Sequence, residues 1–307
     1  MGQRAKKPFK DALSDIGKGI LGKEPDYYDD FYYFRNRAYS DIDGNFLKTE
    51  PLGEVKRILT NMEFDLSRIC FDTEDRKDKY PSPICFFVKI PDDIRVLYKK
   101  ESPYFDLQAC FHETGHAMHA SSIDAKSEYW DKYRIPMGMT ETFSIFLERL
   151  TKNTRYISSS LSNSIKDQNN LEKLTLRNRF MELFFVTFYA ANSLMKLEYW
   201  KESLSIDKAS ELYARLIREY TGFEMPGEYW LLHHILPDSI LYVPSYLLAA
   251  VRASELDIYI GNKHGEKWWT EKEAGKDLRE IMKHGAKTDL SVFSKLNSNI
   301  FLQEIAT

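Results

Sequence analysis

The 307-residue sequence has few cysteines, no excess of charge of one sign and no cluster of basic residues. Cys70, Cys85 and Cys110 are odd in number and widely spaced, so they predict no disulfide framework and favour a reducing compartment. The 43 basic and 46 acidic residues give a net charge of −3. This balance predicts no nucleic-acid partner, because nucleic-acid binding surfaces carry clustered positive charge.

The sequence also lacks a recognisable secretory signal and a membrane-spanning segment. Charged residues interrupt the apolar positions of the first 21 residues, where a signal peptide would need a continuous apolar run. The most apolar stretch, residues 181–197, contains Glu182 and Asn192 and is too short and polar to cross a bilayer. These features predict a cytoplasmic protein without stable membrane association.

Apolar residues recur at helical spacing along most of the chain. Phe9, Leu13, Ile16 and Ile20 recur at this spacing and predict an amphipathic N-terminal helix, which we expect to dock on the rest of the protein and not on a membrane. Further helices are predicted at residues 52–69, 106–121, 137–152, 171–202 and 209–220. Only residues 83–98 have the pattern of strands, and they predict a β-hairpin. The expected fold is therefore mainly α, with a small hairpin or sheet beside the helix at 106–121.

Neither internal repeats nor a Gly/Ser-rich linker divides the chain. A chain of this length can bury one large core or two modest ones. We predict one domain over residues 1–307, in which a helical segment, 1–60, precedes a core, 61–300.

Residues 111–119 read Phe-His-Glu-Thr-Gly-His-Ala-Met-His. Because His112 and His116 are four residues apart, a helix would place both imidazoles on one face, close enough to share a cation. Glu113 could reach a water at that cation without being a ligand. This is the HExxH pattern of zinc peptidases, in which the glutamate is the general base. The alternative is a half-buried helix whose two histidines hydrogen-bond to neighbouring residues.

Glu141 is the candidate for a third metal ligand. A structural zinc site needs four protein ligands, and no other Cys or His pair has the spacing to complete one, whereas a catalytic site needs only three. If residues 137–152 are helical, Glu141, Ser144 and Glu148 share one polar stripe among apolar residues. Burying a carboxylate is costly unless it meets a cation, so this stripe predicts a metal ligand.

Together, His-Glu-Thr-Gly-His-Ala-Met-His and the downstream Glu-Thr-Phe-Ser-Ile-Phe-Leu-Glu resemble the M3 family of zinc metallopeptidases, the family of thimet oligopeptidase and oligoendopeptidase F. The family motif is HExGHxxH, followed downstream by a glutamate ligand, a serine and a second glutamate. Segments at 71–85, 233–246 and 265–285 also resemble the family. The resemblance therefore covers about residues 60–300, and it implies a gluzincin-type helical catalytic domain.

The resemblance implies one zinc ion per chain, peptide substrates and a defined set of site residues. The implied metal ligands are His112, His116 and Glu141, and the implied general base is Glu113.

Donors for the oxyanion of the reaction are also implied by the resemblance. They come from the segment 233–246, where the order of preference is Tyr246, then Tyr242, with His234 preferred over His233. Hydrogen-bond donors aimed at developing negative charge are often the largest catalytic contribution.

The number of residues before the motif leaves three functional hypotheses. Members of the M3 family are usually longer, with an N-terminal half that forms the opposite wall of a deep channel. The first hypothesis is a zinc-dependent oligoendopeptidase, working alone or with a partner chain that supplies that half. The second is a carboxypeptidase of the M32 type, which carries HExGH and a downstream glutamate. The third is a truncated, non-catalytic binding or partner subunit, which the presence of Glu113 disfavours.

Overall fold

The structure is a computed structural model that describes residues 1–29, 38–74, 76–161, 167–233 and 242–306. Helices dominate the described chain, as the sequence predicts. The α-helices, numbered α1 to α12 in chain order, are Gly2–Ala12, Lys18–Leu21, Pro51–Asn61, Pro103–Ser122, Tyr129–Tyr133, Met137–Glu148, Thr154–Ser160, Gln168–Glu202, Ile206–Thr221, Tyr242–His264, Lys272–Met282 and Ser298–Ala306. None of the described helices combines the length and the apolar composition needed to cross a membrane.

Two compact units make up the chain. One consists of Met1–Asp41, Glu172–Leu248 and Ser298–Thr307, and the other of Ile42–Leu171 and Ala249–Asn297. In the first unit, α1 packs through Ala5 and Phe9, both fully buried, and the Phe9 ring stacks on Phe184 of α8 with the centroids 5.4 Å apart. The predicted N-terminal amphipathic helix is therefore present, and its apolar face packs against the same unit.

The second unit contains a three-stranded sheet with strands β1 (Ile69–Asp72), β2 (Ile84–Lys89) and β3 (Asp93–Leu97). The predicted hairpin is confirmed, because β2 and β3 pair antiparallel. On β3, buried Ile94 and Val96 alternate with exposed Arg95, the pattern of a strand with one buried face. That face packs against α4 and buries Ala117, Ala120 and Ile123. The sheet therefore lies beside α4, as expected.

Two local predictions differ from the structure. The helix predicted at 52–69 ends at Asn61, and Glu63 adopts a φ of 57°. Because a non-glycine residue with positive φ cannot continue a right-handed helix, the chain turns there and Leu66–Arg68 forms a 3₁₀ turn. The strand β1, which the sequence did not predict, follows that turn and pairs parallel with β3.

The carboxylate of Glu255 on α10 organises the segment that ends the second unit. It accepts hydrogen bonds from the Ser294 hydroxyl at 2.6 Å and from three backbone N–H groups, those of Lys295, Leu296 and Asn297, at 3.2, 3.1 and 3.0 Å. Burial alone would raise the pKa of Glu255, but these hydrogen bonds outweigh it and lower the pKa. The ionised form is therefore the form that the fold stabilises.

We expect Glu255→Gln to reduce the free energy of unfolding at pH 7 by about 1–3 kcal/mol, because an amide can turn only one acceptor towards the four donors. A carboxyl group whose pKa is lowered by folding stabilises the protein above its unfolded pKa of about 4.3, and this stabilisation is lost as the pH falls through the folded pKa. Urea unfolding of parent and variant should therefore differ at pH 7 and converge at low pH. The exposed Glu211→Gln is the control, and an equal loss there would contradict this role for Glu255.

Candidate metal centre

The helix α4 carries the HExxH residues and begins at a strong start signal. Pro103 is its first residue, and Asp106 in the first turn accepts a hydrogen bond from the Glu101 backbone N–H at 2.8 Å. The helix is regular through His112 and His116, so their rings lie on one face with the centroids 5.0 Å apart. The predicted spacing of the two imidazoles is therefore realised.

The helix α6 brings Glu141 to the same point. Its Oε2 atom lies 3.4 Å from Nε2 of His112 and 3.6 Å from Nε2 of His116. The ligand atoms of these three residues all lie within 4.8 Å of one another. Two ligands bound to zinc at about 2.0–2.1 Å in a tetrahedral arrangement are about 3.3–3.4 Å apart, so the two nitrogens and the carboxylate fit a metal ion of this kind.

A glycine allows α4 and α6 to pack this closely. A Cβ atom on Gly115 would lie 2.6 Å from both the Phe143 carbonyl oxygen and the Ser144 Cα atom, which belong to the backbone of α6. Real side chains do not tolerate contacts this short, so only glycine fits between the histidines. The absence of a side chain at Gly115 thus allows Glu141 on α6 to come close to His112 and His116 on α4.

Each candidate ligand has a hydrogen-bond partner on α6. His112 Nδ1 lies 2.8 Å from Glu148 Oε2, and Ser144 Oγ donates to Glu141 Oε2 at 3.0 Å. His116 Nδ1 lies 3.1 Å from Thr140 Oγ1. The sequence predicted that Ser144 and Glu148 lie with Glu141 on one polar stripe of α6. It did not predict a role for Thr140, which lies one turn before Ser144 on the same helix.

Positive charge is stabilised at the centre of this cluster. Burial alone would lower the pKa of His112, but its hydrogen bonds and charge interactions with Glu141 and Glu148 raise the pKa well above 6.5. Burial would raise the pKa of Glu141, but electrostatic interactions with His116 and His112 and hydrogen bonds from His112 and Ser144 lower it to about 2. Burial lowers the pKa of His116 to about 4, so its imidazole is neutral and able to bind a cation.

Glu113 lies between the two histidines in the sequence of α4, and the residue is 9% exposed. Burial raises its pKa to about 7, and the charges of Glu141 and Glu148 act in the same direction, while His112 opposes them. A carboxyl group with a pKa near 7 can both accept and release a proton at neutral pH, which suits a general base.

His119, the third histidine of the stretch 111–119, takes no part in these hydrogen bonds. Both of its ring nitrogens are buried without a hydrogen-bond partner among the described residues, and its ring packs on Phe143 with the centroids 4.4 Å apart. Burial lowers the pKa of His119 to about 3, so the ring is neutral. Its contacts are those of a packed core side chain.

The candidate oxyanion donors lie in part outside the described residues. Tyr242 and Tyr246 are one turn apart on α10, and their hydroxyl oxygens are 2.7 Å from each other. Both belong to the first unit, which is described by itself. His234 lies outside the described residues, and so does the side chain of His233. The catalytic roles of these residues remain predictions.

A sequence model described as Peptidase family M3 matches residues 62–293, about three quarters of the chain. The chain belongs to peptidase family M3. The matched region contains α4, α6 and all the candidate ligands. This match confirms the resemblance to the family that the two motifs indicated. No curated protein sequence matches the chain.

Solved structures share the fold of this M3 family member at low sequence identity. A protein designated CHT has a TM-score of 0.67 and 16% identity over 98% of this chain and 64% of its own. Trypanosoma cruzi metallocarboxypeptidase 1 has a TM-score of 0.61 and 16% identity over 99% of this chain and 66% of its own. The M32 carboxypeptidase from Deinococcus radiodurans R1 has a TM-score of 0.59 and 12% identity over 100% of this chain and 67% of its own. The chain thus spans about two thirds of the length of these proteins.

Proposed function

We propose that this protein is a zinc-dependent metallopeptidase that hydrolyses internal bonds of short peptides. The observation that carries the proposal is the triangle of His112 Nε2, His116 Nε2 and Glu141 Oε2. The carboxyl group of Glu113 is close enough to His112 and Glu141 for their charges to shift its pKa. Two imidazoles and one carboxylate form a ligand set typical of catalytic zinc, which leaves one coordination position for water or substrate. Membership of the M3 family supports the same metal and the same bond.

His112, His116 and Glu141 would hold one zinc ion, with the ligand atoms already within reach of one centre. A bound zinc ion acts as a Lewis acid on a peptide carbonyl and lowers the pKa of the attacking water towards ~7. The chain itself supplies the proton transfers. Glu113 accepts the proton of the attacking water and later delivers it to the leaving amine, roles that its pKa near 7 supports.

We further propose that Tyr246 donates a hydrogen bond to the oxyanion formed from the peptide carbonyl. Its hydroxyl group is 2.7 Å from that of Tyr242, so one of the two can donate to the other and be held in place by it. This pairing supports a shared role for the tyrosines, with His234 as a second donor. Such donors act by stabilising charge that develops only in the transition state.

The proposal is tested by hydrolysis of an internally quenched peptide, with zinc quantified in the same samples. We expect one zinc per chain, loss of cleavage on removal of zinc by a chelator, and recovery on adding zinc back. The variant Glu141→Gln should bind zinc more weakly and lose cleavage in parallel, because an amide is a poorer ligand than a carboxylate. A protein that binds no zinc after reconstitution would contradict the site assignment.

A carboxypeptidase is the second candidate, since two of the structurally similar proteins are named carboxypeptidases. Mass spectrometry of the products separates the two activities. Internal fragments would support the endopeptidase, and stepwise loss of single C-terminal residues would support the carboxypeptidase.

Zinc binding without cleavage of either kind would favour a non-catalytic subunit or the need for a partner chain. A cytoplasmic location is also proposed, and the three free cysteines support it.

A further inference from the structure

The three candidate ligands take their hydrogen-bond partners from one face of one helix. Thr140, Ser144 and Glu148 follow one another at intervals of four residues on α6, and we call them the α6 stripe. Their contacts are Thr140 Oγ1 with His116 at 3.1 Å, Ser144 Oγ with Glu141 at 3.0 Å, and Glu148 Oε2 with His112 at 2.8 Å. Residues spaced by four on a helix lie above one another, so the stripe runs alongside the candidate metal centre.

The contacts of the two imidazoles are arranged alike. In both rings, Nε2 faces Glu141 and Nδ1 faces the α6 stripe. An ionised carboxylate can only accept a hydrogen bond, so Nδ1 of His112 carries the proton in its contact with Glu148. A neutral ring protonated on Nδ1 has its free lone pair on Nε2, where it can bind a metal.

The hydroxyl group of Thr140 can either donate or accept, so its partner decides the direction. The backbone of Thr140 also forms a hydrogen bond with the His116 ring, so one residue makes two contacts with this imidazole. The side-chain contact lies at Nδ1, the nitrogen of His116 that does not face Glu141.

We propose that Thr140 is a positioning residue that holds the His116 ring with its proton on Nδ1 and its Nε2 lone pair towards the metal. This inference rests on the proposed zinc site and adds a residue to it. The two histidines then have different hydrogen-bond partners, a charged carboxylate for His112 and a neutral hydroxyl group for His116. Hydrogen-bond partners of this kind fix both the proton and the orientation of a metal-binding imidazole.

A matched threonine on the same helix serves as the control. Thr142 is fully buried, as Thr140 nearly is, but its hydroxyl group donates to the Gly138 backbone carbonyl at 2.6 Å, within the helix itself. Both residues can be changed to valine, which keeps the shape and removes the hydroxyl group. A difference in zinc affinity between these two variants therefore reports on the contact with His116 and not on the loss of a buried threonine.

The test measures the zinc dissociation constant by competition with a chromophoric chelator in the parent and in Thr140→Val, Thr142→Val and Thr140→Ser. We expect Thr140→Val to weaken binding about three- to tenfold, below the ~10–100-fold usual for such partners because the backbone acceptor remains. Thr142→Val and Thr140→Ser should bind as the parent does. Equal affinity of Thr140→Val and Thr142→Val would overturn the inference, and a parent that takes up no zinc would overturn the proposed function together with it.

A second measurement holds even if Thr140→Val does not fold. In the zinc-loaded parent with ¹⁵N-labelled histidine, NMR should show His116 protonated on Nδ1 and not on Nε2. A proton on Nε2 of His116 would overturn the inference while leaving zinc binding by the chain established.

Discussion

Glu113→Gln is expected to lower kcat/KM for peptide hydrolysis by about 10²–10⁴-fold while one zinc per chain is retained. Glutamine has nearly the shape of glutamate but cannot accept the proton of the attacking water. Glu113 is 9% exposed, and burial raises the pKa of its carboxyl group to about 7, so we expect this group to transfer protons at neutral pH. Because Glu113 is not one of the three clustered ligand residues, zinc affinity should change little.

The measurement is steady-state cleavage of a quenched peptide, run with metal analysis on the same preparations. The exposed Glu211→Gln on α9 controls for the loss of one carboxylate and should leave both quantities unchanged. Cleavage that survives in Glu113→Gln would exclude this residue as the general base. A loss of zinc along with activity would instead make it part of the metal ligation.

Gly115→Ala is the second change with a large expected effect, because it disrupts the close packing of α4 against α6, which positions Glu141. The added Cβ would lie 2.6 Å from the Phe143 carbonyl oxygen and the Ser144 Cα atom, so α4 and α6 must separate. Overpacking of this kind costs about 1–3 kcal/mol of unfolding free energy. It also moves the Oε2 atom of Glu141, which now lies 3.4 and 3.6 Å from the two imidazole nitrogens. We expect zinc affinity to fall at least tenfold.

Thermal unfolding and chelator competition measure the two effects. Gly261→Ala on α10 is the matched control, because a Cβ there meets no atom within 4 Å. Alanine has the higher helix propensity, so this control should stabilise the protein by up to ~1 kcal/mol. If Gly115→Ala were equally harmless, the close approach of the two helices would not be what sets the geometry of the site.

Much of the fold could be predicted from local pattern. The N-terminal helix, the long helix α8 and the hairpin of β2 and β3 each have a repeating apolar pattern, and the structure contains all of them. The strand β1 has only four residues, and it exists because it pairs parallel with β3, more than twenty residues along the chain. A pairing between distant segments leaves no periodic signal in either of them.

The candidate site could also be predicted only in part, because some of its features are local in the sequence and others depend on contacts between distant segments. The spacing of four residues in His112 and His116 fixes their common helical face whatever surrounds them. Glu141 was noticed because it is a polar residue among apolar neighbours. The sequence, however, does not give its distance from the histidines. Thr140 was not predicted, although it is next to Glu141 and one turn before Ser144, because a threonine in a helix is unremarkable until its partner is known.

The sequence by itself determined which chemical groups this M3 family member carries, namely two imidazoles and a glutamate on one helix and two further carboxylates on another. Only the tertiary structure decided that these groups meet, because α4 and α6 approach each other closely at Gly115. It also decided that Nδ1 of each histidine faces the α6 stripe. The physical reason is that helix periodicity is a local property, which depends on residues close together in the sequence. The distance between two helices depends on packing, which only the folded chain expresses.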